Sequence, residues 1–103
     1  MRFEWDPEKS EANLEERGFD FAFAAQIFDG PTLEKRDRRR DYGEVRIVAT
    51  GLADEIELSV VYTDRVDEDG ERVRRIISAR RSNRRERKAY QAALEEDADQ
   101  GPS

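Results

Sequence analysis

Apolar residues along the chain change their period once, and the change separates a helical first part from a sheet-forming second part. Phe3, Glu4 and Trp5 alternate large and polar side chains and predict a short strand. Asp6-Pro7 follows, with Asp as a helix cap and Pro as a residue suited to the first helical position. The spacing predicts a helix from Pro7 to about Arg17, with Ala12 and Leu14 among its few apolar positions. Gly18 closes it as the residue that best tolerates a left-handed cap. In GFDFAFAAQIFDGP, Asp20 can cap a second helix in which Phe21, Ala24, Ala25 and Phe28 recur at helical spacing, and Asp29-Gly30-Pro31 ends it.

From Thr32 the period becomes two. Val45, Ile47 and Ala49 form one alternating set, and Ile56, Leu58, Val60 and Tyr62 form another, with GLADE as a link of hairpin length. Asp69-Gly70 supplies the next turn, and Val73 to Ala79 the last strand. With the segment from Leu33 to about Arg39 as its first member, this predicts a four-stranded antiparallel meander. Ser82 can cap a final helix whose stripe is Glu86, Ala89, Tyr90, Ala93 and Leu94. The expected fold class is therefore α+β, with two N-terminal helices, an antiparallel sheet of about four strands and a C-terminal helix. Phe3, Trp5, Phe21, Phe28, Ile47, Leu58, Val60 and Ile77 are expected in the core. Residues 1–94 read as one domain and 95–103 as a flexible acidic tail.

Composition narrows the chemistry. Cysteine and histidine are both absent, so the usual zinc ligand sets and His- or Cys-based nucleophilic catalysis are excluded, and no metal or cofactor is expected. No apolar run approaches membrane-spanning length, and MRFEWDPEK carries charges where a signal peptide needs apolar residues, so a cytoplasmic protein with no membrane partner is expected. The net charge of -6 conceals a strong segregation: residues 72–88 hold nine Lys/Arg against one acid, and residues 35–46 hold six against three. If these segments meet, they form a positive face on an acidic body.

The stretch FEWDPEKSEANLEERGFDFAFAAQIF, the YGEVR at 42–46 and RIISARRSNRRERKAY at 75–90 together resemble the BrnT family of type II toxins. The positions that carry the resemblance are Phe3, Trp5, Asp6, Lys9, Asn13, Gly18, Gly43, Glu44, Arg46, Arg75, Ser78, Arg80, Glu86, Arg87 and Tyr90. It implies a RelE-like fold and a metal-independent endoribonuclease that halts translation by cutting RNA. It also implies a BrnA-like antitoxin with a ribbon-helix-helix domain, through which the pair would reach operator DNA. One departure stands out: Glu16-Arg17 replaces the Lys-His that the family pattern shows before the glycine.

Arginine suits such a reaction, because a guanidinium stays charged at physiological pH and holds phosphate bidentately, stabilising the charge that builds on phosphorus without a metal. Arg75 and Arg80, with Arg46 from a neighbouring strand, are the candidate catalytic groups. Arg75 alternates with Ile76 and shares its parity with Val73, Ile77 and Ala79, which leaves the relative facing of these arginines open. Glu86, the lone carboxylate of the basic block, is a candidate base or an ion-pair organiser of the helix. Tyr90 can meet phosphate or bury its ring. Arg17, Arg84, Arg87 and Lys88 are candidate RNA contacts or a solvated surface. Trp5 reads as core, and Asn13 as a hydrogen-bonding residue between helices. The run KRDRRRD at 35–41 fits a protected edge strand as well as phosphate binding.

Overall fold

The computed structural model describes the backbone of residues 1–99 and the side chains of residues 1–96. Strand β1 is Arg2–Trp5, helix α1 Pro7–Arg17 and helix α2 Phe21–Ala24, which runs directly into a 3₁₀ helix over Ala25–Asp29. Strands β2 (Leu33–Arg36), β3 (Ile47–Ala53), β4 (Ile56–Val66) and β5 (Arg72–Arg81) follow, and helix α3 spans Arg84–Asp99. Thus α3 takes in residues 95–99 of the segment expected as a tail, and residues 100–103 lie outside the described residues.

The local signals explain the N-terminal elements. Asp6 accepts the Glu8 N–H at 2.9 Å with Pro7 in the first turn, and Gly18 closes α1 at φ 86°. Asp20 accepts the Phe23 N–H at 2.8 Å to start α2. Two buried polar side chains then fix α2 against α1: Asn13 Nδ2 donates to the Phe19 carbonyl at 2.9 Å, and Ser10 Oγ accepts the Phe21 N–H at 3.0 Å. The second helix departs from the expected period. Its tightening into a 3₁₀ turn aligns Phe21, Ala24 and Ile27 every three residues, so Ile27 is fully buried while Phe28 only packs against the core margin.

The sheet corrects the expectation of about four antiparallel strands. It has five, in the order β1-β5-β4-β3-β2, and β1 lies parallel to β5 with Phe3 opposite Arg74 and Trp5 opposite Ile76. The short FEW alternation is the missing edge, since it brings Phe3 and Trp5 onto the face that α1 and α2 cover. The β3–β4 hairpin is also tighter than GLADE suggests. β3 continues through Ala53, and only Asp54 and Glu55 turn, at φ 48° and 67°, the left-handed pair that matches the twist of a two-residue hairpin. Gly51 remains inside β3, where a β-carbon would stand 3.0 Å from Ile27 Cβ, so glycine admits the 3₁₀ helix onto the sheet.

Residues directly paired across strands share a face. The face under α1 and α2 carries Ile47, Ala49, Leu58, Val60, Tyr62, Ile76 and Ala79 and forms the core with Phe19, Phe21, Ala24 and Ile27. Arg74 is on this face too, bidentate to Asp64 at 2.8 and 2.9 Å, with its guanidinium 3.9 Å from the Tyr62 ring centroid and 4.7 Å from that of Phe28. The opposite face carries Thr50, Ser59, Thr63, Arg75 and Arg80, and α3 leaves from it to pack on β2 and β3. A hydroxyl chain from Thr50 to Ser59 at 3.0 Å and on to Ser82 at 2.8 Å seats that exit.

Candidate RNA-cleaving face

Strict alternation along β5 would place Arg75 and Arg80 on opposite faces. The structure interrupts the alternation once: Val61 pairs with Ser78 and Tyr62 with Ile76, so Ile77 is an extra residue bulged out of the β4–β5 ladder. The parity flips there. Beyond the bulge, Arg80 pairs with Ser59, and before it Arg75 pairs with Thr63, which brings both guanidiniums to the face away from α1 and α2. This also corrects the core assignment of Ile77, since Ile76 is the buried member of the pair and Ile77 is only half-buried.

Each of the two arginines is held by a carboxylate and still reaches solvent. Arg75 lies 3.7 Å from Glu4, while Glu4 is bound more closely by Arg65 at 2.8 and 3.2 Å. Arg80 grips Glu86 through both terminal nitrogens, with Nη2 to Oε2 at 2.9 Å. Their side chains are 47% and 40% exposed, which leaves room for a ligand. Glu86 and the Arg81 carbonyl occupy three of the five guanidinium N–H groups of Arg80, so two remain to meet a phosphate.

Glu86 is fixed by its own helix as well. Asn83, and not the expected Ser82, caps α3: its Oδ1 accepts the Glu86 N–H at 2.8 Å while Glu86 Oε1 accepts the Asn83 N–H at 2.9 Å. This reciprocal pair is a capping box, and Ser82 is left for the buried hydroxyl chain. Arg80's hydrogen bonds hold the Glu86 carboxyl below its ordinary range, against the opposing effect of burial, with the Asn83 amide helping. A carboxylate so stabilised is a weak base and a firm anchor. Glu4 is likewise lowered, first by the hydrogen bonds of Arg65.

The linkage has a definite sign. Because folding lowers the Glu86 pKa below 4.5, the stabilisation from this pair is complete above that value and is lost as pH falls through the folded pKa. Glu86→Gln is therefore expected to cost about 1–2 kcal/mol at pH 7, with the gap from wild type narrowing below pH 4.5. Urea melts at pH 7 and at pH 3.5 to 4 measure it. A gap independent of pH would mean that the ion pair contributes nothing.

The remaining candidates separate. Arg46 precedes β3 with its guanidinium 4.1 Å from the Tyr42 ring centroid and its Nε 3.7 Å from Glu44, and it bonds to neither Arg75 nor Arg80. It is nevertheless close along the sheet: Thr63, paired with Arg75, donates its hydroxyl to the Val45 carbonyl at 2.8 Å. Arg17 reaches the other side of β5, where Nη1 donates to the Ala79 carbonyl at 2.9 Å, one residue from Arg80. Arg84 and Lys88 are exposed on α3, and Arg87, also exposed, donates to the Ser82 carbonyl at 2.8 Å. Tyr90 favours the burial alternative, being 2% exposed with its hydroxyl on the Pro31 carbonyl at 2.9 Å.

Two contributors escaped the sequence reading. Glu4 holds Arg75 through a strand pairing that no local pattern encodes, and Tyr42 holds Arg46 although it sits within the quoted YGEVR.

The fold and the site define an α+β domain with arginines anchored on one sheet face, continued by a basic helix that starts there. A family model described as ribonuclease toxin, BrnT, of type II toxin-antitoxin system matches residues 5–86. The chain belongs to this BrnT family, and membership implies ribonuclease activity in general and a cognate antitoxin as partner. Comparison with curated proteins finds no match. Among the described residues, no helix is long and apolar enough to cross a membrane.

Proposed function

We propose that the protein is an endoribonuclease that cleaves RNA without a metal and thereby inhibits translation, on a RelE-like architecture, with Arg75 and Arg80 as the phosphate-stabilising groups. The observation that carries this reading is the bulge at Ile77, which gives two exposed guanidiniums one facing. In the reaction, the 2′-oxygen forms a bond to phosphorus as its proton leaves, and the bond from phosphorus to the 5′-oxygen breaks as that oxygen gains a proton. Arg80 and Arg75 hold the non-bridging oxygens and stabilise the charge of the five-coordinate state. Glu86 and Glu4 position the guanidiniums, and Arg46 supports the adjoining phosphate. Arg17, docked beside Arg80 where the family pattern shows histidine, adds positive potential at the same strand end. Arg84, Arg87 and Lys88 attract the strand along α3.

The partner in this reading is a BrnA-like ribbon-helix-helix antitoxin that covers the basic face and through which the complex reaches operator DNA. One observation favours a second reading, a catalytically weak antitoxin-binding regulator: Glu86 already takes both terminal nitrogens of Arg80. Purified protein incubated with RNA in excess EDTA discriminates. Cleavage to fragments with 5′-hydroxyl ends, and growth arrest on induction without antitoxin, are the expected results. Protein that binds antitoxin and represses its operator but neither cleaves nor arrests growth would establish the regulator instead.

A further inference from the structure

We propose that the segment linking β2 to β3 forms a second phosphate-binding subsite, in which Arg36, Arg38 and Arg40 hold the RNA backbone at a distance from the scissile bond. The proposal rests on the RNA-cleaving reading above and extends it to a region that the chemistry of Arg75 and Arg80 does not require.

The segment is a built structure. Asp37 is the knot: its carboxylate, 2% exposed, receives the Arg39 Nε and Nη2 at 2.9 Å each, the Arg39 N–H at 3.2 Å and the Tyr42 hydroxyl at 3.1 Å. These bonds, Arg39's foremost, hold the Asp37 carboxyl far below the usual carboxylate range. Its N–H donates to the Arg46 carbonyl at 2.8 Å, one step beyond the β2–β3 ladder, and Gly43 turns the chain at φ 72° with its N–H on Asp41 at 2.9 Å. A loop tied at four points presents its remaining side chains with little ordering cost on binding.

Those remaining side chains are cationic. A pocket of about 370 Å³ is lined by Arg36, Arg38, Arg40 and Tyr42 together with Asp37, Asp41 and Glu44. None of the three arginines has a carboxylate within 4.0 Å among the described residues. The nearby acids are occupied: Asp37 by Arg39 and Tyr42, Asp41 by the Gly43 N–H, and Glu44 lies 3.7 Å from Arg46. Tyr42 also gathers charge, with Arg40 at 5.0 Å and Arg46 at 4.1 Å from its ring centroid. The Arg46 Nε–H is buried without a hydrogen-bond acceptor, 3.7 Å from Glu44, and its charge adds to the positive potential beside Tyr42.

Position selects the ligand. From Arg75 on β5 the paired row runs through Thr63 on β4 to Val45, which Thr63 bonds, and into this loop. Two strand spacings are about 10 Å, so the pocket continues a line that begins at the proposed scissile phosphate. A single-stranded RNA carries phosphates along such a line.

The test uses the full chain and a fluorescent single-stranded RNA with every 2′-hydroxyl methylated, which cannot be cleaved. Wild type and the Arg38→Ala/Arg40→Ala variant are titrated across a range of KCl concentrations. Losing two phosphate contacts is expected to make the slope of log K against log salt shallower by about 1.4, while Lys9→Ala, on the exposed surface of α1, leaves the slope unchanged. Arg38→Lys/Arg40→Lys is expected to restore most of the slope, which a purely structural defect would not allow. An unchanged slope in the alanine variant, with wild type still cleaving ordinary RNA, overturns the subsite and leaves the ribonuclease reading intact. Weakened antitoxin binding with unchanged RNA binding likewise overturns it and makes the loop an antitoxin surface. Wild type that binds no RNA removes both readings.

Discussion

Arg80→Ala is expected to lower RNA cleavage about a hundredfold, whereas Arg85→Ala lowers it by less than about threefold. Removing one positioned donor to a transition-state oxyanion costs on the order of 3 kcal/mol. Arg85 is exposed on α3 with no ion pair among the described residues, and one such surface charge contributes well under 1 kcal/mol. Arg80 also anchors Glu86, so its loss has a structural side that must be separated from chemistry. Arg80→Ala/Glu86→Ala removes both halves of the ion pair and leaves no orphaned carboxylate. If the double variant recovers thermal stability but not cleavage, Arg80 acts on the phosphate. If it recovers both, the role of Arg80 is structural. Single-turnover cleavage rates, with antitoxin binding as the folding control, measure the outcome.

Exchanging the residues at 79 and 80, as Ala79→Arg/Arg80→Ala, is expected to have the larger effect on the molecule. Position 79 pairs with Val60 on the core face and is fully buried, whereas position 80 pairs with Ser59 on the opposite face, so the exchange turns the guanidinium inward. Turning a guanidinium into an apolar interior costs several kcal/mol unless it finds a partner. The expected loss of stability exceeds about 3 kcal/mol, which for a domain of this size lowers the Tm by more than about 10 °C. Deleting Ile77 removes only the extra residue of the bulge and leaves Ser78 opposite Val61 and Arg80 opposite Ser59, so it is expected to retain the facing of Arg80. An exchange variant that melts like wild type would show that position 79 does not face the core.

The bulge also marks the limit of reading this sequence by pattern. Strand existence is legible in RVRRIISARR, because period-two alternation of bulky and polar residues survives any local reading. The facing of Arg75 relative to Arg80 is not, because one unpaired residue reverses parity without altering the local pattern. Helix α2 failed differently: the spacing of Phe21 and Phe28 matched an α-helix, yet the 3₁₀ continuation shortened the repeat to three and buried Ile27. The basic block illustrates a third limit. Nine cations between residues 72 and 88 look alike in the sequence, but Arg74 is enclosed with Asp64 and two aromatic rings, Arg80 is tied to Glu86, and Arg84 and Lys88 face solvent.

By itself, the sequence determined the caps at Asp6, Gly18 and Asp20, the helix–sheet division of the chain, the segregation of charge and the absence of histidine and cysteine chemistry. These depend on neighbours within a few residues or on composition, and so are written locally. The tertiary structure alone decided that β1 completes the sheet beside β5, that Glu4 and Glu86 hold the two arginines, and that both point to one face. Each of these depends on which strands meet and in which register. Those choices follow from burying Phe3, Trp5, Ile27 and Ile76 together, and no single segment carries that information.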